Sequence, residues 1–205
     1  MNRRLIAGTL ASLALAIATQ GIAQQVASAN PAAVKAGSYK VEPYHTQVGF
    51  SVSHFGFTEF GGFFSGASGS LEIDPAHPAA TRLEVSVPID SVTTTVAKLD
   101  GELKGDQWFD AAKYPAATLV STSVTPTGHG TATIAGTLTL HGVSRPVTLQ
   151  ARFVGAGVNP LDKSETVGFS ATGTIKRSDY GVKTYVPLVG DDVKLTISGA
   201  FVRQG

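Results

Sequence analysis

The sequence predicts an all-β domain, an antiparallel barrel carrying one short helix, and three observations carry that prediction. Apolar and polar residues alternate with strand period in segment after segment, turn signals separate the segments, and one stretch alone has helical spacing. No strand–helix–strand rhythm is present, which argues against a parallel sheet.

The elements follow in chain order. Val48, Phe50 and Val52 alternate with Gln47, Gly49 and Ser51, and Leu83, Val85, Val87 and Ile89 alternate with Glu84, Ser86 and Pro88. The same period recurs in Ile134 to Leu140, in Val147, Leu149, Ala151 and Phe153, in Val167, Phe169 and Ala171, and in Val193, Leu195, Ile197 and Phe201. Breaks fall at Gly61-Gly62, at Asp74-Pro75 with Pro78, at Gly128-His129-Gly130, at His141-Gly142, and over Gly155 to Glu165. The connection His141-Gly142 is short enough to join Thr131 to Leu140 and Val143 to Phe153 as a hairpin. Between Thr95 and Gly105, Val96, Leu99 and Leu103 share one helical face and Lys98 and Glu102 stand four apart, with Thr93 to Thr95 available as a cap. Gly101 and Gly105 weaken this helix, so its stability must come from docking on the sheet.

The N-terminus sets the expected address. Arg3 and Arg4 precede an apolar stretch from Leu5 to about Ala18, and small residues follow, which is the three-part pattern of a secretory signal peptide over residues 1–23, with a second cut site after Ala29. The stretch is short for a membrane span. Residues 24–37 are small and polar without period and read as a flexible leader, and 38–205 as one domain. The chain has no cysteine, hence no disulfide, no thiolate chemistry and no lipid-anchoring thiol. With Arg3 and Arg4 removed, the formal charge of +1 becomes −1, and no basic run remains to bind nucleic acid or an anionic membrane.

Enzymatic signatures are weak. Gly66-Ala67-Ser68-Gly69-Ser70 lacks the last glycine of a nucleophile elbow and lies in an all-β context. The histidines at 45, 54, 77, 129 and 141 share no short metal spacing, and Gly155-Ala156-Gly157 runs into Asn159-Pro160 and cannot open a helix as a dinucleotide loop would. No catalytic residue, metal or cofactor is assigned.

Composition points to a barrel with a lined interior. The chain has 23 glycines and 10 phenylalanines, and Phe50, Phe55, Phe57, Phe60, Phe63 and Phe64 fall close together. A sheet rich in both bends strongly and offers aromatic walls. An aromatic core or a bulged strand is the competing reading, and on density alone the stronger one.

Five stretches then carry a family resemblance: YKVEPYHTQVGFSVSHFGF at 39–57, GGFFSGASGSLEID at 61–74, WFDAAKYP at 108–115, GTLTLHGVSRPVTL at 136–149 and IKRSDYGV at 175–182. In order and spacing the chain resembles the YceI-like family of exported lipocalin-like proteins. The resemblance implies an eight-stranded antiparallel lipocalin-like barrel with its helix near one opening, and an apolar tunnel for a long polyisoprenoid chain. It also implies periplasmic binding or transport of a polyisoprenoid lipid or isoprenoid quinone, and allows a homodimer. The chain departs from the family at the helix. An Arg-Asp step followed by a His before the helical leucine is usual there, and here Leu99-Asp100 and Glu102 precede Leu103; Trp108-Phe109 stands where two phenylalanines are usual.

Candidate wall residues are Phe50, Val52, Phe57, Phe63, Leu71, Leu119, Leu138, Phe153 and Phe169. Among polar positions, His45 and His54 could each bond a ligand head group, a structural bond to backbone being the stronger reading for both, with His54 counted among the ligand candidates, while His141 reads as a turn residue. Arg177 reads as a strand-end residue paired with a carboxylate such as Asp179, and together with Lys176 it is the first cation to test against a phosphorylated ligand. Burying about twenty methylene equivalents favours the bound lipid over water by roughly 16 kcal/mol. In a cell the competitor is the bilayer, so that term nearly cancels, and selectivity must come from shape and a few polar contacts. Two other readings stay open: an enzyme acting on a lipid or small amide in the same cavity, and a filled structural or adaptor barrel.

Overall fold

A computed structural model describes residues 26–205; the predicted signal peptide lies outside the described residues. The strands are β1 (Gly37–Val41), β2 (Gln47–His54), β3 (Thr58–Phe64), β4 (Ser68–Ile73) and β5 (Arg82–Pro88), then β6 (Ala116–Gly128), β7 (Thr131–Leu140), β8 (Val143–Val158), β9 (Glu165–Lys176) and β10 (Asp192–Arg203). One helix, α1 (Ala97–Lys104), lies between β5 and β6.

Every pairing is antiparallel, and the order β1-β4-β5-β6-β7-β8-β9-β10 closes through β1 on β10, an eight-stranded barrel. Closure removes the free edges that an open sheet would expose. β2 and β3 lengthen two of its staves. β10 pairs β1 through Val41↔Phe201 and then β2 through Gln47↔Ser198, and β2 in turn carries β3. The first stave is therefore one strand broken by a kink at 42–46, and the second is broken between Phe64 and Ser68.

The kink is built by side chains. The Glu42 carboxylate accepts from the backbone N–H groups of Tyr44 (3.1 Å) and His45 (2.8 Å), and His45 Nδ1 lies 2.7 Å from it. These bonds hold the Glu42 carboxyl below its ordinary range although burial, the largest influence, pushes it up. Thr46 completes the kink by exchanging hydrogen bonds with the backbone of Ala200. The polar residues that interrupt the strand thus satisfy the backbone groups the interruption frees.

The β7–β8 hairpin turns on His141 (φ 51°) and Gly142 (φ 74°), two successive left-handed residues as a tight hairpin requires. A Cβ on Gly142 would stand 2.4 Å from the Tyr114 ring, so glycine there also admits the packing of that ring. His141 fits the turn reading: its Nδ1 lies 3.0 Å from the Tyr180 carbonyl oxygen and its ring meets Tyr114 edge-on.

α1 begins at Ala97 without a side-chain cap at Val96. The predicted threonine cap takes another form. Asp100 accepts from the Thr94 N–H (2.6 Å) and hydroxyl (2.7 Å), and the Val96 N–H donates to Thr94 Oγ1. The helix carboxylate reaches back and holds the entering chain. Leu103 is the buried docking residue, and Lys98 and Glu102 form the predicted exposed pair at 3.7 Å.

The described part of the leader is seated on the wall, which differs from the loose reading. Ser28 bridges Ala156 in both directions, Val34 is buried, and Lys35 pairs with Glu165. Small residues and Asn30-Pro31, read as structureless in sequence, let the chain lie close against β8 at Gly155 and Gly157, where an added Cβ would approach Ala27 and Val26 within 3.0 Å.

Candidate ligand-binding cavity

Two apolar clusters divide the interior. One is close-packed: Tyr39, Val41, Leu71, Phe153, Val167 and Phe201 are buried together with Val34, and Phe169 packs against them. Three of its rings meet edge to face in sequence, Phe153 with Phe169 at 5.8 Å and Phe169 with Phe201 at 6.2 Å. This plug fills one end of the barrel. Beyond it lies a cavity of about 530 Å³, which the filled-barrel reading does not allow.

The cavity wall follows strand alternation. β2 contributes Val48, Phe50, Val52 and His54, β3 contributes Phe60 and Phe64, β7 contributes Ile134, Leu138 and Leu140, and β10 contributes Val193, Leu195 and Ile197. Leu99, Glu102 and Leu103 of α1, with Trp108 and Phe109 after it, line the same space together with Val182, Tyr185 and Val189.

Of the candidate residues, Phe50, Val52, His54, Leu119, Leu138 and Arg177 line the cavity, and Phe57, Phe63, Leu71, Phe153 and Phe169 do not. Phe57 sits in the β2–β3 turn and is 88% exposed. Phe63 lies on the outer face, 53% exposed, because Phe50 pairs directly with Gly62, which turns residues 60, 62 and 64 inward and 63 outward. Phe63 instead exchanges backbone hydrogen bonds with Thr93 (2.9 Å each way), bringing the segment before α1 against β3. Gly62 permits this approach, since a Cβ there would fall 2.2 Å from the Thr93 carbonyl oxygen. Leu71, Phe153 and Phe169 point inward but belong to the plug.

Among the lining residues that the sequence reading did not name as wall are Phe60, Phe64, Leu99, Leu103 and Trp108. Phe60 and Phe64 face in because they stand opposite Val52 and Val48 in the β2–β3 ladder, a register that only the paired strands reveal. Phe64 closes on Phe50 at 5.4 Å and on Phe109 at 5.7 Å, tying β2, β3 and the segment after α1 into one aromatic corner.

Arg177 does not pair with Asp179. It is 5% exposed, and its guanidinium donates to four backbone carbonyls: Gly190 (2.9 Å), Val182 (3.0 Å), Thr184 (2.9 Å) and Val189 (2.7 Å). Burial pushes its pKa down, and the nearby Asp191 carboxylate opposes that. Burial is the largest single influence on Asp191 and pushes its pKa up, but the bonds it accepts from the Ser178 N–H (2.9 Å) and hydroxyl (2.8 Å), with the charges of Lys176 and Arg177, together hold it below its ordinary range. Trp108 lies over the guanidinium at 5.5 Å. Lys176 is on the outside, paired with Asp192 at 2.8 Å. His45 is at the exposed kink, away from the cavity.

The family model of the YceI-like domain matches residues 39–201. The chain belongs to the YceI-like family. Protein YceI of Escherichia coli O17:K52:H18 is 37% identical over 171 residues, 82% of this chain and 88% of that protein. A UPF0312 protein of Azotobacter vinelandii is 34% identical over 198 residues, 96% of this chain and 98% of the relative. Among solved structures, Burkholderia cenocepacia BcnA superposes with a TM-score of 0.70 at 25% identity over 78% of this chain and 98% of its own. A polyisoprenoid binding domain from Saccharophagus degradans shares the fold with a TM-score of 0.60 at 16% identity, over 83% of this chain and all of its own.

In this YceI-like barrel the mouth is formed where the β2–β3 turn meets the segment after Arg177. His54 bridges Val189, and the Gly190 N–H donates to the Ser53 carbonyl oxygen at 2.8 Å. The four Arg177 bonds fix that second segment from inside, so the guanidinium shapes the opening. Among the described residues no helix is long and apolar enough to cross a membrane.

Proposed function

We propose that this protein binds the chain of a polyisoprenoid lipid or isoprenoid quinone in the barrel cavity and carries or shields it in the periplasm after export. One observation supports this most: an apolar cavity of about 530 Å³ closed at one end by an aromatic plug and opening beside α1. That volume falls within the roughly 300–1,000 Å³ of small-molecule sites. Phe50, Val52, Leu119 and Leu138, with Phe60 and Phe64, form the wall in this reading, and His54 and Trp108 stand near the head group. The Saccharophagus degradans domain of the same fold, described as polyisoprenoid-binding, supports the ligand class. The apparent signal peptide supports the compartment. A homodimer, allowed by the family resemblance, belongs to the same proposal.

Extraction from vesicles tests it. Protein incubated with vesicles carrying a radiolabelled polyprenyl lipid, then freed of them by flotation, should hold close to one lipid per chain. Protein that stays empty while the vesicles keep their label would refute the proposal.

A further inference from the structure

We propose that Glu102 makes the cavity mouth discriminate against phosphorylated head groups, so that the lipid bound here carries an uncharged polar head. This rests on the lipid-binding reading above and specifies the chemistry of its ligand.

The interior offers a charged head no partner. The wall strands contribute mainly aliphatic and aromatic side chains; Thr46, at the kink, has its hydroxyl engaged with the Ala200 backbone, and Thr118 of β6 adds a neutral hydroxyl. A head group must therefore sit at the mouth, among His54, Glu102, Trp108 and Tyr185.

A phosphate or diphosphate there needs cations with donors to spare. Arg177 lines the cavity, but four of the five N–H groups of a guanidinium are committed to carbonyl oxygens and the Trp108 ring covers it. Its charge is also faced by Asp191. Neither Lys98 nor Lys104 on α1, nor Lys183 on the segment after Arg177, lines the cavity. Lys98 meets Glu102 at 3.7 Å with a side chain 88% exposed, an arrangement that solvent screens.

The carboxylates are better placed. Glu102 lines the mouth itself, and Asp100 stands one layer behind, bonded to Thr94, which also lines the cavity. An anionic head entering this opening meets a carboxylate first. A hydroxyl head would donate to Glu102, and a carbonyl head could accept from the indole N–H of Trp108 or the Tyr185 hydroxyl.

Trp108 is the single tryptophan of the chain, and its fluorescence reports occupancy of the mouth. Purified protein is titrated with a prenyl alcohol and with the diphosphate of the identical prenyl chain, then the titrations are repeated with Glu102→Gln and Glu102→Lys. The wild-type protein should bind the alcohol about tenfold or more tightly than the diphosphate, a difference in affinity that direct titration resolves. Glu102→Gln should narrow the ratio, and Glu102→Lys should bring the two within about threefold, by tightening diphosphate binding and weakening that of the alcohol, whose acceptor is lost. Equal affinity for both ligands in the wild-type protein, or a ratio that Glu102→Lys does not move, would overturn the assignment. Binding of neither ligand by wild-type protein would instead overturn the lipid-binding reading, and this inference with it.

Discussion

Arg177 donates through Nη2 to the carbonyl oxygen of Val189, 2.7 Å away, and so anchors from within the segment that closes one side of the cavity mouth. Three further bonds run to Val182, Thr184 and Gly190, making one buried cation the common partner of four otherwise unpaired carbonyls.

Arg177→Ala should therefore destabilise the fold by about 3–5 kcal/mol, the scale of removing one member of a buried charged network. Urea unfolding measures it. Arg177→Lys should recover little, because an ammonium cannot match the planar fork that reaches four oxygens. Full stability in Arg177→Lys would show that charge, not geometry, is what the segment needs.

Phe57 and Phe153 test the division of the aromatics. Phe57→Ser should change stability by no more than about 0.5 kcal/mol, as for an exposed position. Phe153→Ala should cost about 3–5 kcal/mol by opening a hole in the plug. Thermal and chemical unfolding of the two variants side by side provide the comparison.

The alternation of β2, β7, β8, β9 and β10, the hairpin at His141-Gly142 and the single helix were all legible in the sequence, because each is set by local period and turn chemistry. Phe50, Val52 and Leu138 stand in those alternating segments and line the cavity, whereas Leu119, which lines it too, lies in β6, outside the segments whose period was read. Phe63 was misplaced because its face depends on the register of β3 against β2, in which Gly62, not a phenylalanine, stands opposite Phe50. Leu71, Phe153 and Phe169 do face inward, yet whether an inward residue lines a cavity or fills a plug depends on closure of β1 on β10, a pairing across nearly the whole chain. Arg177 was misread because its partners are carbonyls of a loop, which carry no signature in sequence.

Leu138 offers a test of the cavity separate from the fold. It lies inside the cavity opposite Leu119 in the β6–β7 ladder. Leu138→Trp should fill the space and reduce lipid uptake from vesicles about tenfold or more, while costing no more than about 1–3 kcal/mol of stability. Unchanged uptake in a folded variant would place the ligand elsewhere.

Acid should weaken the structure near Asp191. Its pKa in the folded protein lies below the ordinary value of 3.8, so the stability it contributes is full above that value and is lost as pH falls through the folded pKa. Asp191→Asn should be less stable than the parent at neutral pH and lose less on acidification below 3.8. Unfolding midpoints measured from pH 7 downward check the sign: parallel curves for the two proteins would show that Asp191 does not contribute this dependence.

The central claim, that the cavity holds a prenyl lipid, is tested most directly by native mass spectrometry of protein purified from the periplasm, followed by solvent extraction and identification of what is released. The account predicts a stoichiometric prenyl lipid or quinone with an uncharged head. Protein that emerges empty and also takes up no added polyprenyl lipid would contradict it.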